Sequence, residues 1–248
     1  MASLFLRLVS AIGVGAGLTL AVVGGTHGIG QAALGLVEEP RLDAPPFRWR
    51  LLPTDRPVRL LLLGTSLTGR GAAWVSALEA RLAACHGGPV AVERLARAGA
   101  NSVWGATALR ARLAEAPLPD LIVAEFSIND ASLWHGITLS RSRVQHVEIL
   151  QTAATADVPL WLSTASPAFG REAWERPGQM AYRAFYPDLA RTLGAGLIAM
   201  APDWQALDPA SRASALPDDL HPTDQAMIDR AVPRLVAALG PVLCPSGG

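Results

Sequence analysis

Between residues 58 and 239, short apolar runs alternate with longer stretches of helical periodicity, and few folds accommodate that alternation. Residues 58–63, 90–95, 121–124, 158–162 and 196–200 are the short runs, each bounded by Gly, Pro or polar residues. Residues 74–84, 103–114, 140–156 and 179–193 lie between and after them with apolar positions at helical spacing, and 223–239 closes the series. Pro187 lies inside the fourth of these and predicts a kink or a restart there. Strict alternation predicts a parallel sheet covered by helices on both faces, that is, an α/β/α sandwich of three layers with five strands. Ligands of such sheets sit beyond the carboxyl ends of the strands. The residues just after each run are therefore where chemistry is expected.

Four polar blocks fall at that edge. Gly64-Thr65-Ser66-Leu67-Thr68 follows the first run, Ala98-Gly99-Ala100-Asn101 the second, and Phe126-Ser127-Ile128-Asn129-Asp130 the third. Asp218-Asp219-Leu220-His221-Pro222 precedes the last helix. Singly, each block reads as turn or capping chemistry. Together and in this order they resemble the SGNH (GDSL-type) hydrolases, and the likeness covers about 58–239. It implies a flavodoxin-like SGNH fold, with Ser66 matching the nucleophile, Gly99 the glycine of the second block and Asn129 the asparagine of the third. Asp218 and His221 match the terminal Asp-x-x-His. Two departures stand out. Thr65 occupies the place of the Asp in the usual Gly-Asp-Ser, and Ser127 that of the usual Gly two residues before the Asn. Neither removes a member of the implied triad; the second bears on specificity.

Physical chemistry agrees with these roles. A serine hydroxyl is a weak nucleophile until a base takes its proton. His221 can be that base, and Asp218 can orient its ring and stabilise the imidazolium. The Ser66 and Gly99 backbone N–H groups and the Asn129 amide are the expected oxyanion donors. Asp219 reads as a solvated turn residue and Asp130 as a capping or supporting group. Thr65, Trp134, His135 and Trp174 are candidates for lining a substrate pocket, and 169–178 for a rim or lid. The reaction requires no cofactor, and no His/Cys/Asp cluster with metal-ligand spacing is present.

Composition removes other classes. The 248 residues carry a formal net charge of zero, which gives no reason to expect a nucleic-acid partner. Every basic residue besides histidine is Arg, so Schiff-base and P-loop chemistry, which need Lys, are excluded. Residues 22–30 resemble a dinucleotide-binding glycine turn. However, a Pro-rich stretch follows instead of a βαβ unit, and neither Tyr182 nor Tyr186 is followed by the Lys such enzymes use.

Residues 8–25 are uncharged and follow Arg7, which predicts an N-terminal hydrophobic helix within 1–30, either a retained membrane anchor or a cleaved signal. Residues 31–56 hold four prolines, Pro40, Pro45, Pro46 and Pro53, and read as a linker, so the catalytic domain is expected over 57–248. The expected location is the inner membrane with the domain facing the periplasm, or secreted or periplasmic if the segment is removed. Under the common strand order 2-1-3-4-5, Cys85 and Cys244 end neighbouring helices at one corner. A disulfide between them is then expected, with free thiols as the alternative.

The implied activity is hydrolysis of carboxylic esters, with O-acetyl groups on an envelope or exported polysaccharide as one substrate class. O-acyl transfer to polysaccharide, lysophospholipase and thioesterase activity use the same triad. The contrasting reading, a non-catalytic carbohydrate-binding module, leaves four complete blocks unexplained.

Overall fold

The apolar run Val58–Gly64 forms β1, and its alternate side chains enter two separate cores. In the computed structural model of the chain, residues 51–244 are described. Four further strands, β2 (Val90–Ala96), β3 (Leu121–Ala124), β4 (Leu160–Ser163) and β5 (Gly196–Ile198), pair in the order β2-β1-β3-β4-β5, all parallel. Helices α1 (Ser66–Gly69) and α2 (Ala73–His86) follow β1, and α3 (Ser102–Leu113) follows β2. After β3 come α4 (Ser127–Asp130) and α5 (Leu139–Thr155). After β4 come α6 (Gly170–Trp174), α7 (Gln179–Ala184) and α8 (Tyr186–Leu193). After β5 come α9 (Ala201–Gln205), α10 (Pro209–Ala215), α11 (Asp224–Ala226) and α12 (Val232–Leu243).

On one face Leu60, Leu62, Leu121 and Val123 pack against Leu78 and Leu82 of α2 and Leu235 and Leu239 of α12. On the other, Leu61, Leu63, Ile122 and Leu162 pack against Leu109 of α3, Ile149 of α5 and Leu189 of α8. The three-layer parallel sandwich expected from the alternation is the observed one. Apolar burial on both faces is what makes β1 and β3 near-continuous apolar runs.

Three local differences have physical causes. The segment 179–193 is two helices, because Pro187 in the first turn of α8 cannot continue α7. The last helix is interrupted. Met227–Ala231 is a π-helical turn just ahead of Pro233, which has no N–H to give the i−4 carbonyl. Past that point it runs to Leu243 through Gly240 and Pro241, where the sequence reading stopped it at residue 239. Short helices at the strand ends, α1 and α4, are too brief to leave a periodic signal.

The expected N-terminal hydrophobic helix lies outside the described residues. Among those described, no helix is long and apolar enough to cross a membrane. The end of the expected linker, 51–56, is held on the domain: the Leu52 N–H donates to the Val242 carbonyl (3.0 Å), and Arg56 pairs with Asp120. Cys85 at the end of α2 and Cys244 after α12 are joined by a disulfide, with their Cα atoms 5.2 Å apart.

Candidate active site

The chain leaves β1 at Gly64 and turns at once into α1. Thr65 is the extended residue ahead of that helix, and its hydroxyl accepts the Leu67 N–H (3.2 Å), capping the turn. Ser66 is therefore the first helical residue, half-buried, and its N–H has no partner within the helix. A Cβ on Gly64 would stand 2.4 Å from both Glu125 Oε1 and Thr68 Oγ1, so the turn closes only around glycine.

Ser66 Oγ lies 2.8 Å from His221 Nε2, and His221 Nδ1 lies 2.7 Å from Asp218 Oδ2. The other carboxylate oxygen of Asp218 accepts the N–H groups of Leu220 (3.1 Å) and His221 (2.7 Å). This tight turn is why a three-residue spacing delivers both side chains to one place. Asp219 takes up the reversal with a φ of 63°. Burial alone would raise the Asp218 carboxyl, but the hydrogen bonds from the His221 backbone and ring and from Leu220 outweigh it and hold the group below the usual range. An Asp218 that stays ionised fixes the proton on Nδ1 and leaves Nε2 to accept from Ser66.

The expected oxyanion donors sit at the ends of β2 and β3. Gly99 has a φ of 71°, the left-handed region that favours glycine. Asn129 donates one amide hydrogen to the Ala100 carbonyl (2.9 Å), which leaves its second hydrogen available and ties the two loops together. Asp130 is fully buried behind them and accepts the Ser102 N–H (2.8 Å) and hydroxyl (2.7 Å) at the start of α3, and the Ser142 hydroxyl from α5. His146 continues this network. Burial pushes its imidazole down, so it is neutral, with Nδ1–H on the Ser142 carbonyl and Nε2 accepting the Tyr186 hydroxyl (both 2.8 Å).

The pocket candidates separate. His135 is exposed beside Gly99, and its carbonyl accepts from Asn101 (2.8 Å). Trp134 and Trp174 are 73% and 83% exposed, and their segments meet where the Leu133 N–H donates to the Glu175 carbonyl (2.9 Å). The rim from Phe169 onward joins the acid-bearing turn through the Phe169 N–H on the Asp219 carbonyl (2.9 Å). Thr65 does not line an open pocket: it is completely buried, with its hydroxyl turned to Glu125 (2.8 Å). Leu67, Ile128 and Leu220, each adjacent in sequence to Ser66, Asn129 or His221, form a small apolar cluster with Ala165 and Ala168.

Two residues of the site escaped the sequence reading. Glu125 falls between the third run and its polar block and received no role there; it lies under the Thr65–Thr68 turn. Arg70, 3.5 Å from Asp218 Oδ2, lies beyond the first block and carries no local signal.

A parallel α/β sandwich with a hydrogen-bonded Ser–His–Asp line at the carboxyl edge of its sheet defines a class, the serine hydrolases of the α/β/α type. The model of the GDSL-like lipase/acylhydrolase family matches residues 62–227, well over half of the chain, and the chain belongs to that family of SGNH-type hydrolases. No curated protein matches its sequence. Among solved structures it is similar to a lipase/acylhydrolase from Enterococcus faecalis, with 21% identity, 77% of this chain and 100% of the other covered, and a TM-score of 0.64. It is also similar to an acetylxylan esterase from Geobacillus stearothermophilus, with 19% identity, 77% and 97% covered, and a TM-score of 0.60. A further acetyl xylan esterase shares 18% identity over 73% of this chain and 100% of its own, with a TM-score of 0.59. At these identities the likeness is one of fold.

Proposed function

We propose that the chain hydrolyses small carboxylic esters through an acyl-enzyme on Ser66. The observation that carries this reading is the line Ser66 Oγ–His221 Nε2–Asp218, with separations of 2.8 and 2.7 Å. Ser66 Oγ attacks the ester carbonyl while its proton passes to Nε2. The resulting imidazolium is stabilised by Asp218 and then protonates the departing alcohol. The oxyanion is received by the N–H groups of Ser66 and Gly99 and the second amide hydrogen of Asn129. Water, deprotonated by the same imidazole, releases the acid.

The apolar cluster of Leu67, Ile128 and Leu220 beside the nucleophile supports a short acyl group. The exposed Trp134 and Trp174 support a carbohydrate alcohol, because sugars stack on aromatic faces, and two of the similar structures are acetylxylan esterases. O-acetylated polysaccharide is accordingly the substrate class proposed. Transfer of the acyl group to a sugar hydroxyl in place of water is the second reading, favoured by the same exposed aromatics. For location, the uncharged stretch 8–25 and the disulfide together support an exported, membrane-tethered domain.

Hydrolysis of p-nitrophenyl acetate, butyrate and octanoate by the full chain, beside its Ser66→Ala variant, tests the reading. Turnover is expected to fall with chain length and to vanish in the variant. Equal turnover in both proteins would remove Ser66 from the chemistry.

A further inference from the structure

The alternation of β3 continues one residue past its ladder. Leu121 and Val123 face the core between the sheet, α2 and α12, and Glu125 follows on the same side, 6% exposed. Its Oε1 accepts three hydrogen bonds from one turn: the Thr65 N–H (2.6 Å), the Thr65 hydroxyl (2.8 Å) and the Thr68 hydroxyl (2.8 Å). Its Oε2 is buried without a partner among the described residues. Glu125 also lines a cavity of about 50 Å³ together with Thr68, Ser163, Ser166, Leu67 and Pro222.

We propose that Glu125 is a positioning residue for the nucleophile, holding the Thr65–Thr68 turn so that Ser66 Oγ stays on His221 Nε2. This rests on the reading of Ser66 as nucleophile. The three donors flank Ser66: Thr65 is the cap before it and Thr68 lies two residues after it, so the serine is held between two anchors on one oxygen. A purely structural role does not explain the residue. A buried carboxyl with one orphan oxygen beside a cavity is a poor way to stabilise a core, and an apolar side chain of similar size would serve better. Stability given up at an active site is the usual signature of function. Burial pushes the Glu125 carboxyl up to about 7, against the pull of its bonds to Thr65 and Thr68. Protonation does not remove this role, because a carboxylic acid with its proton on the other oxygen still accepts at Oε1.

The test compares the full-length wild type with Glu125→Leu, Glu125→Gln and Thr68→Val, with Ser66→Ala as the blank. It reads kcat and KM on p-nitrophenyl acetate and the rate at which a fluorophosphonate labels Ser66. A nucleophile misplaced by a fraction of an ångström should lower kcat and labelling by roughly 30- to 100-fold in Glu125→Leu, with KM within about threefold. Glu125→Gln keeps the acceptor and should recover kcat to within about fivefold of wild type; Thr68→Val, losing one donor, should fall between. The proposal is overturned if Glu125→Leu keeps wild-type kcat and labelling, if Glu125→Gln loses as much as Glu125→Leu, or if the loss lies in KM. Should Glu125→Leu not fold, wild-type kcat in Thr68→Val overturns it. Wild-type turnover that survives Ser66→Ala would instead refute the Ser66 reading itself.

Discussion

Glu125 and Asp218 are two carboxyls of one active edge that their surroundings push in opposite directions. Asp218 is partly exposed and gathers enough N–H donors to stay ionised, whereas Glu125 is sealed in the core and rises to about 7. The second shift has a signed consequence for stability. Because the folded-state value lies above the ordinary 4.5, the native protein binds the proton more tightly than the unfolded chain between those values. Stability therefore falls as pH rises through that window, by roughly 3 kcal/mol in full. Glu125→Gln removes this dependence. Thermal unfolding of the variant should exceed wild type at pH 8 by more than at pH 5; an equal difference at both would show that Glu125 does not titrate in the window. For Asn129, the amide held by Ala100 aims one donor, and Asn129→Ala should lower kcat by about 10²–10³-fold with KM little changed. A loss confined to KM would place Asn129 in substrate binding instead.

At the scale of elements, what was legible in the sequence followed from period and punctuation. β1, apolar apart from Arg59, and β3 are short and bounded, and they stand where the pattern put them. Ser66, Gly99, Asn129, Asp218 and His221 could be picked out because their blocks, in this order at strand ends and before the last helix, resemble those of the SGNH hydrolases. Glu125 could not, since its role depends on Thr65 and Thr68, some sixty residues earlier in the chain. The interruption at Met227–Ala231 was equally hidden, because apolar spacing continues through it and only Pro233 hints at the missing bond. The disulfide ties α2 to the end of α12 across a sequence separation of 159 residues. A closed loop of that length restricts the unfolded chain strongly, and Cys85→Ser should cost about 2–5 kcal/mol. A lower melting temperature, matched by wild type under reductant, is expected; no change in either would show that the crosslink contributes nothing to stability.

For the whole molecule, the proposal is a catalytic sandwich tethered through the uncharged stretch 8–25. Full-length chain should fractionate with membranes and be released when residues 1–30 are removed. Full-length chain recovered wholly in the soluble fraction with its N-terminus intact would contradict the tether. The sheet brings together residues from four separate blocks at one edge, and the central claim is that this edge forms a covalent acyl intermediate on one serine. Mass spectrometry of acid-quenched protein, taken early in turnover of p-nitrophenyl acetate, tests that claim most directly. An acetyl adduct confined to the peptide bearing Ser66, and absent from Ser66→Ala, is the predicted result. Steady turnover with no adduct on that peptide, undiminished in Ser66→Ala, would contradict the account.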